Sequence, residues 1–159
     1  MKFYLFMIVT GIGLFLCDRL LLRLLKIGLV ASLLSGIFCG VIFGWLAKLF
    51  FWKVGLSWCI VPLITLSGSL LLFLFARYQL YQKPLIQVFS TILLGIGTGL
   101  LAWLMLELLM LLLPSQPWLF FRPHRFWLEM ILLGFLLHFG YAFSVRISKR
   151  LIRADQPKG

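Results

Sequence analysis

The sequence predicts an all-α, polytopic bundle of transmembrane helices with five to six spans, forming a single integral-membrane domain over residues 1–159. Three observations predict it. Of the 159 residues, 63% are apolar and only 12% charged, against roughly 45–50% and about 25% in a soluble domain. The mean hydropathy is +1.10. The apolar residues also gather into runs close to the ~20 residues a helix needs to cross the hydrocarbon. A chain of this composition has too little polar surface to cover a water-soluble core. A soluble enzyme, a secreted disulfide scaffold and a disordered tail are thereby excluded.

The first element is the least regular. Met1-Lys2 followed by an apolar run to Leu16 has the outline of a signal peptide, but no small-x-small cleavage site follows. Cys17 is preceded by Leu16, where a lipoprotein signal needs a small residue. The stretch is therefore expected to stay as a first span. Residues 3–17 are short for that task, and residues 18–26 carry bases at 19, 23 and 26, the spacing of one helical face. This face fits an interfacial amphipathic helix between two spans. It also fits three short spans over residues 3–50, which would raise the total to six.

Four later runs are long enough to cross: 27–50, 54–76, 85–113 and 126–147. Trp52-Lys53, Arg77 to Pro84 and Pro114 to Arg125 separate them. Pro84, Pro114, Pro117 and Pro123 fall at these breaks, where a missing backbone donor does least harm. The loop from Pro114 to Trp127 mixes Trp118, Phe120, Phe121 and Trp127 with prolines and bases, a composition suited to the headgroup zone.

Charge sets the expected orientation. Fifteen Lys and Arg face four acids, a net +11. The bases cluster between apolar runs and in the segment 146–159, so they point to membrane topology and anionic lipid and not to nucleic acid. Placing the basic tail 146–159, with Arg146, Lys149, Arg150, Arg153 and Lys158, in the cytoplasm also places Arg77 and Lys83 there. Lys48, Lys53, Arg122 and Arg125 are then outside. Six spans would put the N-terminus inside, and five would put it outside.

Few residues could carry chemistry. Cys17, Cys39 and Cys59 are scattered singly and read as small apolar residues, with neither a disulfide framework nor a zinc site. Gly36, Gly40 and Gly44 are spaced by four, and Gly95 and Gly99 repeat the pattern with Gly97, Thr98 and Ala102. Small residues at this spacing let helix backbones approach closely in lipid, within one chain or between partners. A dinucleotide loop is excluded because the glycines at 95–99 lie inside one continuous apolar run.

Glu107 sits in the longest run, where a carboxylate is costly and raises a functional question. Its place near the outer end also lets it reach interfacial water, Arg122 or Arg125. Glu129 is four residues after Arg125, a spacing that permits a helical ion pair. His138 shares a face with Gly134 and Tyr141 and has no second metal-ligating residue one turn away, and His124 has no obvious partner. The serines lack an adjacent base, and no two carboxylates are placed for acid–base work. The chain is expected to be no enzyme and to hold neither metal nor cofactor.

Several features resemble the rod shape-determining membrane protein MreD, a family of the bacterial inner membrane. They are the length and hydrophobicity, the opening Gly36-Ile37-Phe38-Cys39-Gly40 with a later Gly55-Leu56, the long span with one acid at Glu107, and Phe121-Arg122-Pro123-His124-Arg125-Phe126-Trp127 leading into a last span and a basic tail. The match runs from about residue 36 to residue 153. Gly44 stands where the family commonly has Asp, and the family's Pro-Asp step before the second span is missing. The resemblance implies six helices, a location in the bacterial inner membrane with a cytoplasmic C-terminus, and a non-enzymatic role in cell shape and lateral peptidoglycan synthesis. It further implies binding of an MreC-like partner and, through it, of the wall-synthesis enzymes.

The expected function is that of a membrane scaffold, in contact with lipid and with other membrane proteins. Gly36, Gly40, Gly44, Gly95, Gly99 and Glu107 would serve helix or partner contacts, together with Arg122, Pro123 and Trp127. The alternative is a small transporter, or transporter subunit, that binds a hydrophobic solute between helices lined by Glu107 or His138. A pore-forming, holin-like protein is a third reading, for which no charge-lined pore is evident.

Overall fold

The computed structural model describes residues 2–25, 28–50, 57–77, 84–112 and 127–154, and all of them are helical. The five helices are α1 (Lys2–Leu25), α2 (Gly28–Phe50), α3 (Ser57–Arg77), α4 (Pro84–Leu112) and α5 (Trp127–Ala154). Four of them, α1, α2, α4 and α5, are long and apolar enough to cross a membrane. The apolar part of α3 is shorter, Cys59–Phe75.

The helices form a ring. Each packs on its neighbours in chain order, and α5 returns to pack on α1. Successive helices are antiparallel. Gly36 meets Ser69 while Gly40, one turn on, meets Pro62 and Thr65 one turn back along α3. Gly95 meets Phe135 while Gly99 meets Ile131 in the same reversed order on α5. It follows that α1, α3 and α5 run one way and that the closing contact, α1 with α5, is between parallel helices.

The solvent outside decides what goes where. Leu16, Phe38, Val41, Trp45, Leu104 and Phe139 are exposed, as suits helices whose outer faces meet lipid. The interior mixes apolar side chains such as Met7, Leu14, Ile64, Leu94, Leu106 and Leu137 with hydroxyls at Thr10, Ser35, Thr65, Ser67, Ser69 and Thr98. With no water in hydrocarbon, a hydroxyl must find a partner nearby. Several bond their own helix one turn back: Thr10 to the Phe6 carbonyl at 2.9 Å, Ser69 to Leu66 at 2.9 Å and Ser144 to Gly140 at 3.0 Å.

Residues 2–50 differ from both sequence expectations. They form two helices, and residues 18–25 neither lie as a separate interfacial helix nor join a third short span. The physical reason is Asp18. Its carboxylate turns into the bundle and is met there by donors from α2 and α5, so α1 continues through it. Arg19 and Arg23 are exposed on the other side. Five helices among the described residues is one fewer than the resemblance to the MreD family implies.

The two ends of the bundle differ in charge. Arg19, Arg23, Arg146, Lys149 and Arg150 gather where α1 and α5 end. The opposite end carries Lys2 and Lys48 with Glu107 and Glu129. Helix α5 runs on to Ala154, so the first half of the basic tail is helical.

Candidate functional site

Two polar centres lie inside the bundle. The first surrounds Asp18, about 10 Å along α1 from its basic end at 1.5 Å per residue. The Tyr141 hydroxyl donates to Asp18 Oδ2 at 2.9 Å. The Ser32 and Ser35 hydroxyls of α2 face Oδ1, each at 3.5 Å, long for a hydrogen bond. Ser35 also donates to the Ser32 carbonyl at 2.8 Å, so its hydroxyl is shared. An aromatic stack holds Tyr141 in place: the Phe15 ring meets it edge-on at 5.4 Å, and the Arg19 guanidinium lies 5.4 Å from the Phe15 centroid. Cation–π and edge-to-face contacts of this kind fix ring orientation.

The second centre is one turn deeper on α5. His138 Nε2 and Thr98 Oγ1 are 2.7 Å apart, and both residues are buried. Gly68 of α3 lies against them, and a Cβ there would come within 2.7 Å of Leu137 and 3.5 Å of His138 Nε2. The absence of a side chain at Gly68 is what lets α3, α4 and α5 meet around the pair. These two centres can accept and donate hydrogen bonds between helices. No group of three or more His, Cys, Asp or Glu is placed to hold a metal ion among the described residues.

The small-residue positions face neighbouring helices. Gly36 and Gly40 meet α3, where a Cβ on Gly40 would stand 2.9 Å from Pro62 Cα. Gly95 and Gly99 meet α5, where a Cβ on Gly95 would stand 2.6 Å from Phe135 Cα, and Gly134 fills the reciprocal place opposite both. Gly44 is buried but lines a groove between α2 and α3 with Trp45, Lys48 and Pro62, about 500 Å³ in volume. Glu107 is half-buried, and Trp127 is exposed at the start of α5. Arg122 and Pro123 lie outside the described residues, as do His124 and Arg125, the expected partner of Glu129. Cys39 is buried and the other two cysteines partly so, all three free.

Two further grooves open on the perimeter. One, of about 590 Å³, lies between α1 and α2 and is walled by Leu16, Leu20, Leu34, Ile37, Phe38 and Val41. The other, of about 230 Å³, lies between α4 and α5 and ends at Arg146. Neither Glu107 nor His138 lines any of the three grooves.

Sequence reasoning passed over Asp18 as one charge in a basic stretch, and it missed Gly11 and Gly140 altogether. Gly11 receives the Leu137 backbone, and Gly140 receives that of Ile8. These contacts close the ring between α1 and α5. The available signal was an acid inside a run that otherwise carries only bases.

The chain matches no protein-family model, no curated protein and no solved structure.

Proposed function

We propose that this protein is a non-enzymatic scaffold of the bacterial inner membrane that works by binding other membrane proteins. The observation that supports it is how the interior is used. The carboxylate, the histidine and the glycines of the bundle are turned toward one another, holding helices together, and the broad apolar perimeter is left for partners. The finer form of the reading, an MreD-like role in cell shape and lateral peptidoglycan synthesis through an MreC-like partner, rests on the sequence resemblance over residues 36–153. It places the basic end and the C-terminus in the cytoplasm, following the excess of Lys and Arg there.

Depletion in the source organism tests the finer form: rods should lose their shape, and rods that keep it remove the cell-shape role. Co-purification tests the broader one. Ile37→Trp and Val41→Trp, on the exposed face of α2, should lower recovery of the bound membrane protein without lowering the yield of the scaffold itself. Equal recovery with both variants would count against the perimeter as the binding surface.

A second reading, a transporter subunit that holds a hydrophobic solute, is supported by the groove between α1 and α2. Its volume of about 590 Å³ falls in the ~300–1,000 Å³ range of small-molecule sites. Under that reading the same two tryptophans would abolish solute uptake and leave protein partners in place.

A further inference from the structure

The groove between α4 and α5 has a physical origin in the glycine contact beside it. At Gly95, Gly99 and Gly134 the two backbones touch. Toward the basic end the facing residues become Val88 and Ile92 on α4 and Phe139 and Phe143 on α5, all exposed. Bulky side chains cannot approach as glycines do, so the helices part and leave a cleft of about 230 Å³. Its α5 wall is a stripe, Phe135, Phe139 and Phe143 at four-residue spacing, and the stripe runs into Arg146. Lys149 and Arg150 follow in the next turn, both exposed.

The cleft is thus apolar for most of its length and cationic at the end nearest the bundle surface. The cleft is open along its outer side, so a hydrocarbon chain can lie partly in it and partly in the surrounding lipid, and the cationic end at Arg146 favours an occupant with an anionic head. A guanidinium offers phosphate two parallel donors, and neighbouring bases add attraction for net negative charge. We infer that this cleft is a seat for an anionic phospholipid, one acyl chain along the phenylalanine stripe and the headgroup phosphate on Arg146.

Native mass spectrometry of the full-length protein, with phosphatidylglycerol and phosphatidylcholine of identical chains, tests this. The wild type should retain phosphatidylglycerol in preference. Arg146→Gln should lower that retention about fivefold, the size of one arginine's attraction to an anionic headgroup, and leave phosphatidylcholine unchanged. Arg23→Gln, which removes an exposed charge from α1 at the same end, should change neither lipid. Ala142→Phe, which adds a ring to the cleft lining, should lower retention of both. If that variant elutes as a misfolded protein, Phe139→Ala takes its place and should also weaken both lipids by removing part of the wall.

Equal losses in Arg146→Gln and Arg23→Gln would show a diffuse attraction to the basic end and overturn the seat. Unchanged retention in Ala142→Phe, or in Phe139→Ala where that variant is used, would do the same. So would a bound polypeptide released by the cleft variant and not by Arg146→Gln, which would give the cleft to a protein helix.

Discussion

The Tyr141 hydroxyl and the Asp18 carboxylate join the last helix to the first, 2.9 Å apart in space and 123 residues apart in the chain. This bond lies beside the backbone contacts at Gly11 and Gly140 that bring α1 and α5 together. A carboxylate inside an apolar bundle is expensive unless donors surround it. Of the three that face Asp18, only Tyr141 does so at a good distance.

Tyr141→Phe should therefore destabilise the protein by about 1 kcal/mol, toward the low end of the penalty for leaving an acceptor short of its donor, because Asp18 is only partly buried. Asp18→Asn should cost less, because an amide can still accept from the phenol. In the double variant the effects should fall short of their sum, since both act on the same bond and a neutral amide left without the phenol costs less than a carboxylate. Thermal unfolding in detergent reads all three. Full additivity would mean that the bond contributes nothing and that the aromatic stack alone positions Tyr141.

The pair His138 and Thr98 predicts a different pattern. At 2.7 Å and buried, it joins α4 to α5, and hydrogen bonds between membrane helices contribute about 0.6 kcal/mol on average and up to ~1.7. Thr98→Val should cost roughly that much, because it leaves His138 unsatisfied while keeping the volume. Adding His138→Leu on top should recover part of the loss, since the double variant has no buried polar group without a partner. Unfolding midpoints of the two proteins, compared with the wild type, check the order. A double variant less stable than Thr98→Val by a full histidine's packing would show that the ring's shape, and not its bond, matters.

How much of this the sequence carried depends on how local each feature is. The helices from residue 27 onward were legible because lipid demands length and apolarity and both are written in contiguous runs, although the run 54–76 was read as a full span and the apolar part of α3 is shorter than one. The glycine spacings at 36, 40 and 44 and at 95 and 99 were legible as contact faces, although which helix each face meets was not. Asp18 was not legible. Its partners Ser32, Ser35 and Tyr141 come from two other helices, so nothing in its neighbourhood distinguished it from the bases at 19, 23 and 26. Gly11 and Gly140 stand without a matching glycine one turn away, and their role exists only because the ring closes.

Within the second glycine patch the structure separates three neighbours that sequence grouped together. A Cβ on Gly99 would run into the backbone of Met130 and Ile131, which cannot move without separating α4 from α5. On Gly97 it would meet only the end of the Leu71 side chain at 3.3 Å. Gly99→Leu should thus cost more than the ~1–3 kcal/mol of ordinary overpacking, seen as lost monodisperse protein. Gly97→Ala should shift stability by less than ~1 kcal/mol, as a flexible neighbour gives way. Equal behaviour of the two variants would contradict the close approach at Gly99.

Topology offers the most decisive prediction. The five helices among the described residues alternate in direction and place Lys2 and Ala154 at opposite ends of the bundle. The end holding Ala154 also holds Arg19, Arg23, Arg146, Lys149 and Arg150, and bases near membrane ends stay in the cytoplasm. A reporter fused before residue 1 should accordingly read outside, and one fused after residue 159 should read inside. The resemblance to the MreD family implies the other result, both reporters inside, because six crossings return the chain to the side where it began. Opposite sides would leave the scaffold reading intact and remove its cell-shape form. The same side would mean that the chain crosses once more than these five helices do, and would favour the family resemblance over the charge-sorted five-helix ring.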